Sequence, residues 1–411
     1  MLDDDTLPLV KPVSPLVSPP TYRASGTAWS AYVSLMSTML GSGIMTLPSA
    51  MAATTPLPNA VLLVMTGSMA LMSFRTLCLV ADATEAYSYE AISTRVFSPS
   101  QVWVLRILTV LPCFGSMLMN MLVAVDLLLP FQALFSRTIL CLVFALVTFP
   151  MCLPNTLHAL RMTNTMVVTS VLYIVAVLAG HAYGLPWPHD SAVERPLNSF
   201  SWGGVAYAIP IQIFSYGCHL NLVRTYGELE HKQSMRWVIF CIVSTGLALF
   251  AVASTSGYVI FQGHPPSNVL AGFPVADISI TSVRVVLGVS LLLKMPLAFH
   301  PLRDMLEVVV LPRLLFSTTA FSPPWFRVCI TTISLGMVTW IAIRTSDLGT
   351  AMTWVGTFDG VMFHFVVPGL FLVSTPSSQF ATRLPRCATE MGWGVVCIGL
   401  YVAVASLSRL V

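Results

Sequence analysis

The sequence predicts an all-α membrane protein: eleven transmembrane helices in an inverted five-plus-five repeat, with spans 1 and 6 broken at mid-membrane. Three observations carry this expectation. Of the 411 residues, 56% are hydrophobic and only 9% are charged, against about 25% charged in soluble domains, so most of the chain must lie in lipid. Apolar runs of about 20 residues, the length that crosses the hydrocarbon core, recur along the whole chain. Two of these runs, at corresponding places in the two halves, are interrupted by glycine, serine and proline.

Spans are expected at 29–52, 57–81, 102–129, 138–154, 164–185, 202–229, 236–261, 279–301, 326–345, 350–374 and 390–409. The first two groups of five form repeats over 29–185 and 202–374, together a transporter core over 29–374, and 390–409 is an added eleventh helix. Residues 1–28, acidic and then proline-rich, read as a disordered polar tail and not as a cleaved signal. With the N-terminus inside, the inner loops and helix ends collect twelve Lys and Arg, from Lys11 to Arg386. The outer ones collect five: Arg137, Arg195, Arg284, Arg344 and Arg409. The positive-inside bias therefore places the N-terminus in the cytosol, in the plasma membrane or in a vacuolar or lysosomal type of membrane.

Composition also excludes function classes. The net charge of +3 is small and scattered, so no nucleic-acid partner is expected. The nine cysteines form no CxxC pair and show no metal-ligand spacing, so no metal and no cofactor are expected. No nucleophile elbow, phosphate loop or dinucleotide fingerprint occurs, and an enzyme is not expected.

Within span 1, Ser37 to Pro48 reads Ser-Thr-Met-Leu-Gly-Ser-Gly-Ile-Met-Thr-Leu-Pro. Glycine loosens a helix and proline removes a donor. A break in a bilayer survives only where it is buried in protein or lines a cavity. Gly41, Ser42 and Gly43 are therefore either a close-packing surface or a binding site. Span 6 repeats the feature: Pro210 precedes Ile213-Phe214-Ser215-Tyr216-Gly217-Cys218-His219. Paired broken helices in inverted halves point to a secondary transporter with its site between the repeats. The half-helix starting at Gly43 and Ile44 offers amides to a carboxylate, and carbonyls near Met39 and Leu40 suit an ammonium group. An amino acid is the natural substrate for both. Phe214 and Tyr216 either close over that ligand or are ordinary packing.

Other segments are less specific. Residues 82–101 read as a short interfacial helix. The outer connection 261–277 is either a lid over the bundle mouth or a solvated loop. The segment 301–326 is expected as a cytosolic connection.

The stretches LMSTMLGSGIMTLPSAM and IFSYGCHLNLVRTYGELE resemble the span 1 and span 6 signatures of the amino acid/auxin permease family. A third match is GYVIFQGHPPSNVL leading into LLLKMPLAFHPLRDML, with Pro296, Pro301 and Arg303 in the family's span 8 ending. The resemblance covers spans 1 to 10. It implies the inverted-repeat fold of sodium-coupled leucine transporters, alternating access, and amino acid substrates driven by protons or sodium. Sodium-coupled members use an Asn before the Gly-Ser-Gly and a Thr before the span 8 proline; this chain has Ser37 and Lys294 there. The Lys294 ammonium either replaces the ion on the carbonyls around Thr38 to Leu40 or snorkels to the cytosol. In the first case transport is sodium-independent, by proton-coupled symport or by exchange.

Asp126 at the outer end of span 3 reads as structural. Asp359 on span 10 has several possible partners: the side chain of arginine or lysine, a polyamine amine, Lys294, His364, or a water-filled vestibule. His219 either relays protons or packs. Arg224 and Glu228 read as an ion pair or inner gate contact. The expected function is sodium-independent, proton-coupled amino acid transport with a preference for cationic amino acids, in contact with the lipid bilayer. The alternatives are an amino acid sensor on the same fold and a polyamine transporter.

Overall fold

The computed structural model describes residues 26–128, 136–153, 160–187, 201–315, 324–345, 347–375 and 387–407. The tail to residue 25, and Arg195, Arg383, Arg386 and Arg409 of the charge count, lie outside these. Among the described residues the chain is helical: α1 (Ala28–Met39), α2 (Leu47–Thr54), α3 (Pro56–Thr84), α4 (Tyr89–Val96), α5 (Pro99–Leu128), α6 (Arg137–Cys152), α7 (Leu160–Ala182), α8 (Trp202–Ser215) and α9 (His219–Glu228). Then come α10 (Met235–Ile260), α11 (Ile278–Leu315), α12 (Pro324–Arg344), α13 (Leu348–Asp359), α14 (Val367–Ser374) and α15 (Ala388–Leu407).

Among the described residues, seven helical segments are long and apolar enough to cross a membrane unaided. Two further apolar helices, Arg137–Cys152 and Ala388–Val404, are shorter, and the first and sixth expected spans are each divided. Large apolar side chains such as Trp29, Leu146, Trp237, Trp340 and Val404 remain exposed on the outside. That is the surface a bilayer covers.

Local chemistry sets the helix ends. Pro56 opens α3 at a position where no amide donor is needed, and Glu85 closes it in the left-handed conformation, φ 52°. Ser88, Ser136, Ser201 and Asp347 cap α4, α6, α8 and α13 through side-chain oxygens on first-turn amides. The short helix α4 is the one expected within 82–101.

Both breaks form. α1 stops at Met39, Ser42–Met45 makes one 3₁₀ turn, and α2 restarts at Leu47 followed by Pro48. α8 stops at Ser215 and α9 restarts at His219. The two breaks touch: there is no room for a Cβ on Gly43 against Ser215, so glycine is required there for close approach.

Two features differ from expectation. The eighth span does not end at 301; α11 runs on to Leu315, through Pro296 and Pro301, each of which costs one backbone bond yet leaves the helical path intact. Residues Gly360–Val366, inside the tenth span, wind as a π-helix. Two π-segment carbonyls have side-chain donors. Tyr89 Oη of α4 donates to Phe363 O at 3.0 Å, and Ser73 Oγ of α3 donates to His364 O.

The connection 261–277 packs as a lid. Val269 and Leu270 are fully buried, and buried Arg284 donates to Leu270 O at 2.6 Å and Phe273 O at 2.7 Å. We call the end of the bundle carrying this connection the lid face, and the end carrying Gly26 the tail face.

Candidate functional site

A cavity of about 120 Å³ lies beside the two breaks. α5 contributes Pro112, Cys113, Ser116 and Asn120, and the second break and α9 contribute Gly217 to Asn221. Thr38 comes from α1, Lys294 and Ala298 from α11, and Asp359, Phe363 and His364 from the end of α13 and the π-segment. The α9 and α1 residues place it on the tail-face side of the breaks.

Lys294 is only 9% exposed. Its Nζ donates to Ser37 O at 2.5 Å and Leu40 O at 3.2 Å. These carbonyls end α1, where no further turn supplies donors. The ammonium caps that half-helix at the negative end of its dipole. A Cβ on Gly41 would come within 3.3 Å of Nζ, so the missing side chain leaves the lysine space to reach the break.

Asp359 lines the same cavity and forms no ion pair with Lys294 or His364 among the described residues. His219 and His364 stack, ring centroids 3.8 Å apart and planes 17° from parallel. Phe74 packs on His219 at 4.4 Å. Asn221 Nδ2 donates to Thr38 Oγ1 at 3.1 Å, tying α9 to α1.

Of the residues singled out in the sequence, Lys294, His219 and Asp359 line the cavity, and Ser37 and Leu40 meet Lys294 through their carbonyls. Gly43 and Ser215 meet each other. Ser42 and Ile44 are buried outside the lining set. Tyr216, left open in the sequence between closure over a ligand and ordinary packing, is fully buried, its Oη donates to Leu63 O at 3.4 Å, and its ring packs edge-on against Phe250 at 5.1 Å. The turn at the end of α8 aims it between α3 and α10. Phe214, half-buried on α8, also stands outside the lining. Asp126 pairs with Arg137 at 2.8 Å, and Arg137 also donates to Thr345 O at 2.7 Å. Arg224 and Glu228 meet at 3.4 Å with both side chains about half exposed, a geometry that contributes little.

Asn120, Ser116, Asn221 and the placement of His364 were not read from sequence, since isolated polar residues in apolar runs carry no spacing signal. A second polar group went unread as well. Gln212 Nε2 donates to Asn59 Oδ1 at 2.9 Å, Asn59 Nδ2 to Ser254 Oγ at 3.2 Å, and Ser254 Oγ to Leu47 O at 3.1 Å. This chain joins α8, α3 and α10 to the carbonyl of the first residue of α2.

The model of a family described as transmembrane amino acid transporter protein matches residues 24–411. The chain belongs to this family. The vacuolar amino acid transporter 5 of Schizosaccharomyces pombe is 24% identical to this transporter over 96% of the chain and 97% of its own length. Its Saccharomyces cerevisiae namesake is 22% identical over 93% and 97%. The sodium-coupled neutral amino acid transporter 7 of Xenopus laevis is 25% identical over 57% of the chain and 52% of its own. Among solved structures, a Na⁺-coupled sialic acid symporter superposes with a TM-score of 0.58 at 13% identity, covering 93% of this chain and 91% of that one. An Eremococcus coleocola manganese transporter gives 0.57 at 15%, covering 93% and 86%. These likenesses show the shared inverted-repeat fold with broken spans 1 and 6.

Proposed function

We propose that this protein is a secondary transporter that moves amino acids by alternating access, independently of sodium and coupled to protons, with a preference for cationic amino acids. The observation that carries the reading is the Lys294 ammonium on Ser37 O and Leu40 O. A fixed cation already satisfies the carbonyls that a sodium ion would need, and a second positive charge there is repelled. Asp359 supports the substrate preference, because a carboxylate without a partner in a cavity is stabilised by an incoming ammonium or guanidinium. The two relatives covered over nearly their whole length are named vacuolar transporters, which favours an internal, acidified compartment over the plasma membrane.

The test is uptake of labelled amino acids and polyamines into proteoliposomes holding the purified protein, with sodium and pH gradients imposed independently. Uptake is expected to be unchanged when choline replaces sodium and to rise with an inward proton gradient. Collapse in choline overturns sodium independence. Lys294→Thr, which reopens the carbonyls, is expected to confer a dependence on sodium.

A further inference from the structure

The cavity holds groups that the tethered lysine and Asp359 do not use. α9 begins at His219 with Cys218 before it, and no side chain caps that end. The first amides to find partners are those of Asn221 and Leu222, both on Cys218 O, at 3.1 and 2.9 Å. The amides of Cys218, His219 and Leu220 therefore have none among the described residues, and all three residues line the cavity. His219 is 2% exposed, yet neither of its ring nitrogens has a hydrogen-bond partner there, and Nδ1 of His364 likewise has none. Buried polar atoms are nearly always bonded, so this group is complete only when something enters the cavity.

We infer that the N-terminus of α9, with His219, is the docking point for the substrate's α-carboxylate, and that His219 binds the coupled proton as that carboxylate arrives. The inference rests on the transport reading above and names the proton site within it. An imidazolium at the positive end of a half-helix, in a cavity that already holds the Lys294 ammonium, is opposed by both charges. A carboxylate on the three free amides removes that opposition and accepts a hydrogen bond from the imidazolium. Proton and amino acid therefore stabilise each other, which is what symport requires.

The surroundings favour one charge and disfavour two. Phe74, 4.4 Å away and tilted by 47°, and His364, stacked at 3.8 Å, both pack on the His219 ring, and aromatic faces attract a cation. A second proton on His364 would set two cations 3.8 Å apart. The pair therefore carries one proton per amino acid. The titratable groups that face it are Lys294 of α11, Asp359 of α13 and Cys113 of α5, which share the cavity, with Cys218 at the break. Cys78 of α3 lies within electrostatic reach of Cys218, and Tyr89 of α4 within reach of both Cys218 and Asp359. With the carboxylate on α9, a cationic side chain of the substrate is left for Asp359.

Two measurements test this. The first is calorimetry of the full-length wild-type protein with arginine and with agmatine, its analogue without the carboxylate, in two buffers of different ionisation enthalpy. At about pH 7.5, above the ordinary histidine pKa of ~6.5, arginine is expected to bind with uptake of a proton and agmatine without it. Equal proton uptake by both, or none by arginine, overturns the inference. The second is proteoliposome transport by His219→Gln, which keeps a hydrogen-bond donor but holds no proton. Exchange of internal for external arginine at equal pH is expected to weaken, because the carboxylate loses its charged donor, while accumulation with a pH gradient falls to the variant's own level without one. Retained pH-driven accumulation overturns the proposal. Sodium-driven accumulation by the wild type would instead overturn the sodium-independent reading, and loss of both activities in the variant leaves calorimetry of the wild type to decide.

Discussion

At the residue scale, the site turns on charges whose value depends on whether they are already spent. Lys294 is spent on two carbonyls, and Arg137 on Asp126 and two further carbonyls. Asp359 is not: it lines the cavity and has no ion pair among the described residues. Replacing it by asparagine keeps the shape and removes the charge. A charge-assisted hydrogen bond contributes about 1.5–3 kcal/mol, so Asp359→Asn is expected to lower uptake of arginine relative to a neutral amino acid by roughly tenfold or more. Competition of labelled arginine against alanine measures this ratio, and an unchanged ratio removes Asp359 from substrate recognition. The sequence placed an acidic group beside two glycines in span 10. It did not reveal whether that group was already paired, because pairing depends on the depth and rotation of α11 against α13.

At the scale of elements, the half-helices α1 and α9 are tied together at the tail face. Gly26 N donates to Glu228 O at 2.9 Å and Glu230 N to Gly26 O at 3.0 Å, a single bridge that joins the entry to α1 with the end of α9. Asn221 and Thr38 join them again nearer the cavity. The pair is then fastened to α3: Tyr226 Oη donates to Asp82 at 2.6 Å, and the Lys232 ammonium caps the carbonyls of Tyr226 and Gly227 while lying over the rings of Tyr87 and Tyr226. Partial burial holds the Lys232 pKa below its ordinary value, against the pull of nearby Asp82. Tyr226→Phe removes the hydroxyl and leaves the packing. It is expected to loosen this fastening by about 1.5–3 kcal/mol, the value of a bond to a charged group, and to speed maleimide labelling of Cys218 when the other cysteines are replaced by serine. Unchanged labelling would mean that the cavity is not gated at the tail face. The π-segment belongs to this scale too. Its carbonyls are met by α4 and α3, so α4 braces the wall that carries His364.

At the scale of the whole molecule, the lid and tail faces are fastened by different chemistry. On the lid face Asp347 caps α13 and also accepts from Ser267 of the lid at 3.0 Å. Partial burial raises its pKa, but the hydrogen bonds from Thr350, Ser267 and the amides of Thr350 and Gly349 outweigh this and hold it below its ordinary 3.8. A carboxyl whose folded pKa is depressed contributes stability above its unfolded pKa and loses it as pH falls through the folded one. The lid attachment is therefore expected to persist through mildly acidic pH and to weaken only below that range. Hydrogen exchange at residues 267–272, corrected for intrinsic rate, is expected to be the same at about pH 5 as at neutrality and to rise for Asp347→Asn. Faster exchange at the mildly acidic value would show that the lid itself responds to pH.

The architecture was legible in the sequence because it follows from short-range rules: apolar length sets a span, and glycine with proline interrupts one. The helical class, the two breaks, the short helix over Tyr89–Val96 and the departure at Lys294 are all of this kind. What each side chain does was decided only by packing. Tyr216 packs between α3 and α10, and α11 continued past Pro301. Three residues from distant segments, Phe74, His219 and His364, became one aromatic cluster. A helix sequence specifies which residues share a face, whereas the partners of that face depend on crossing angles and depth, and these exist only once the bundle has closed.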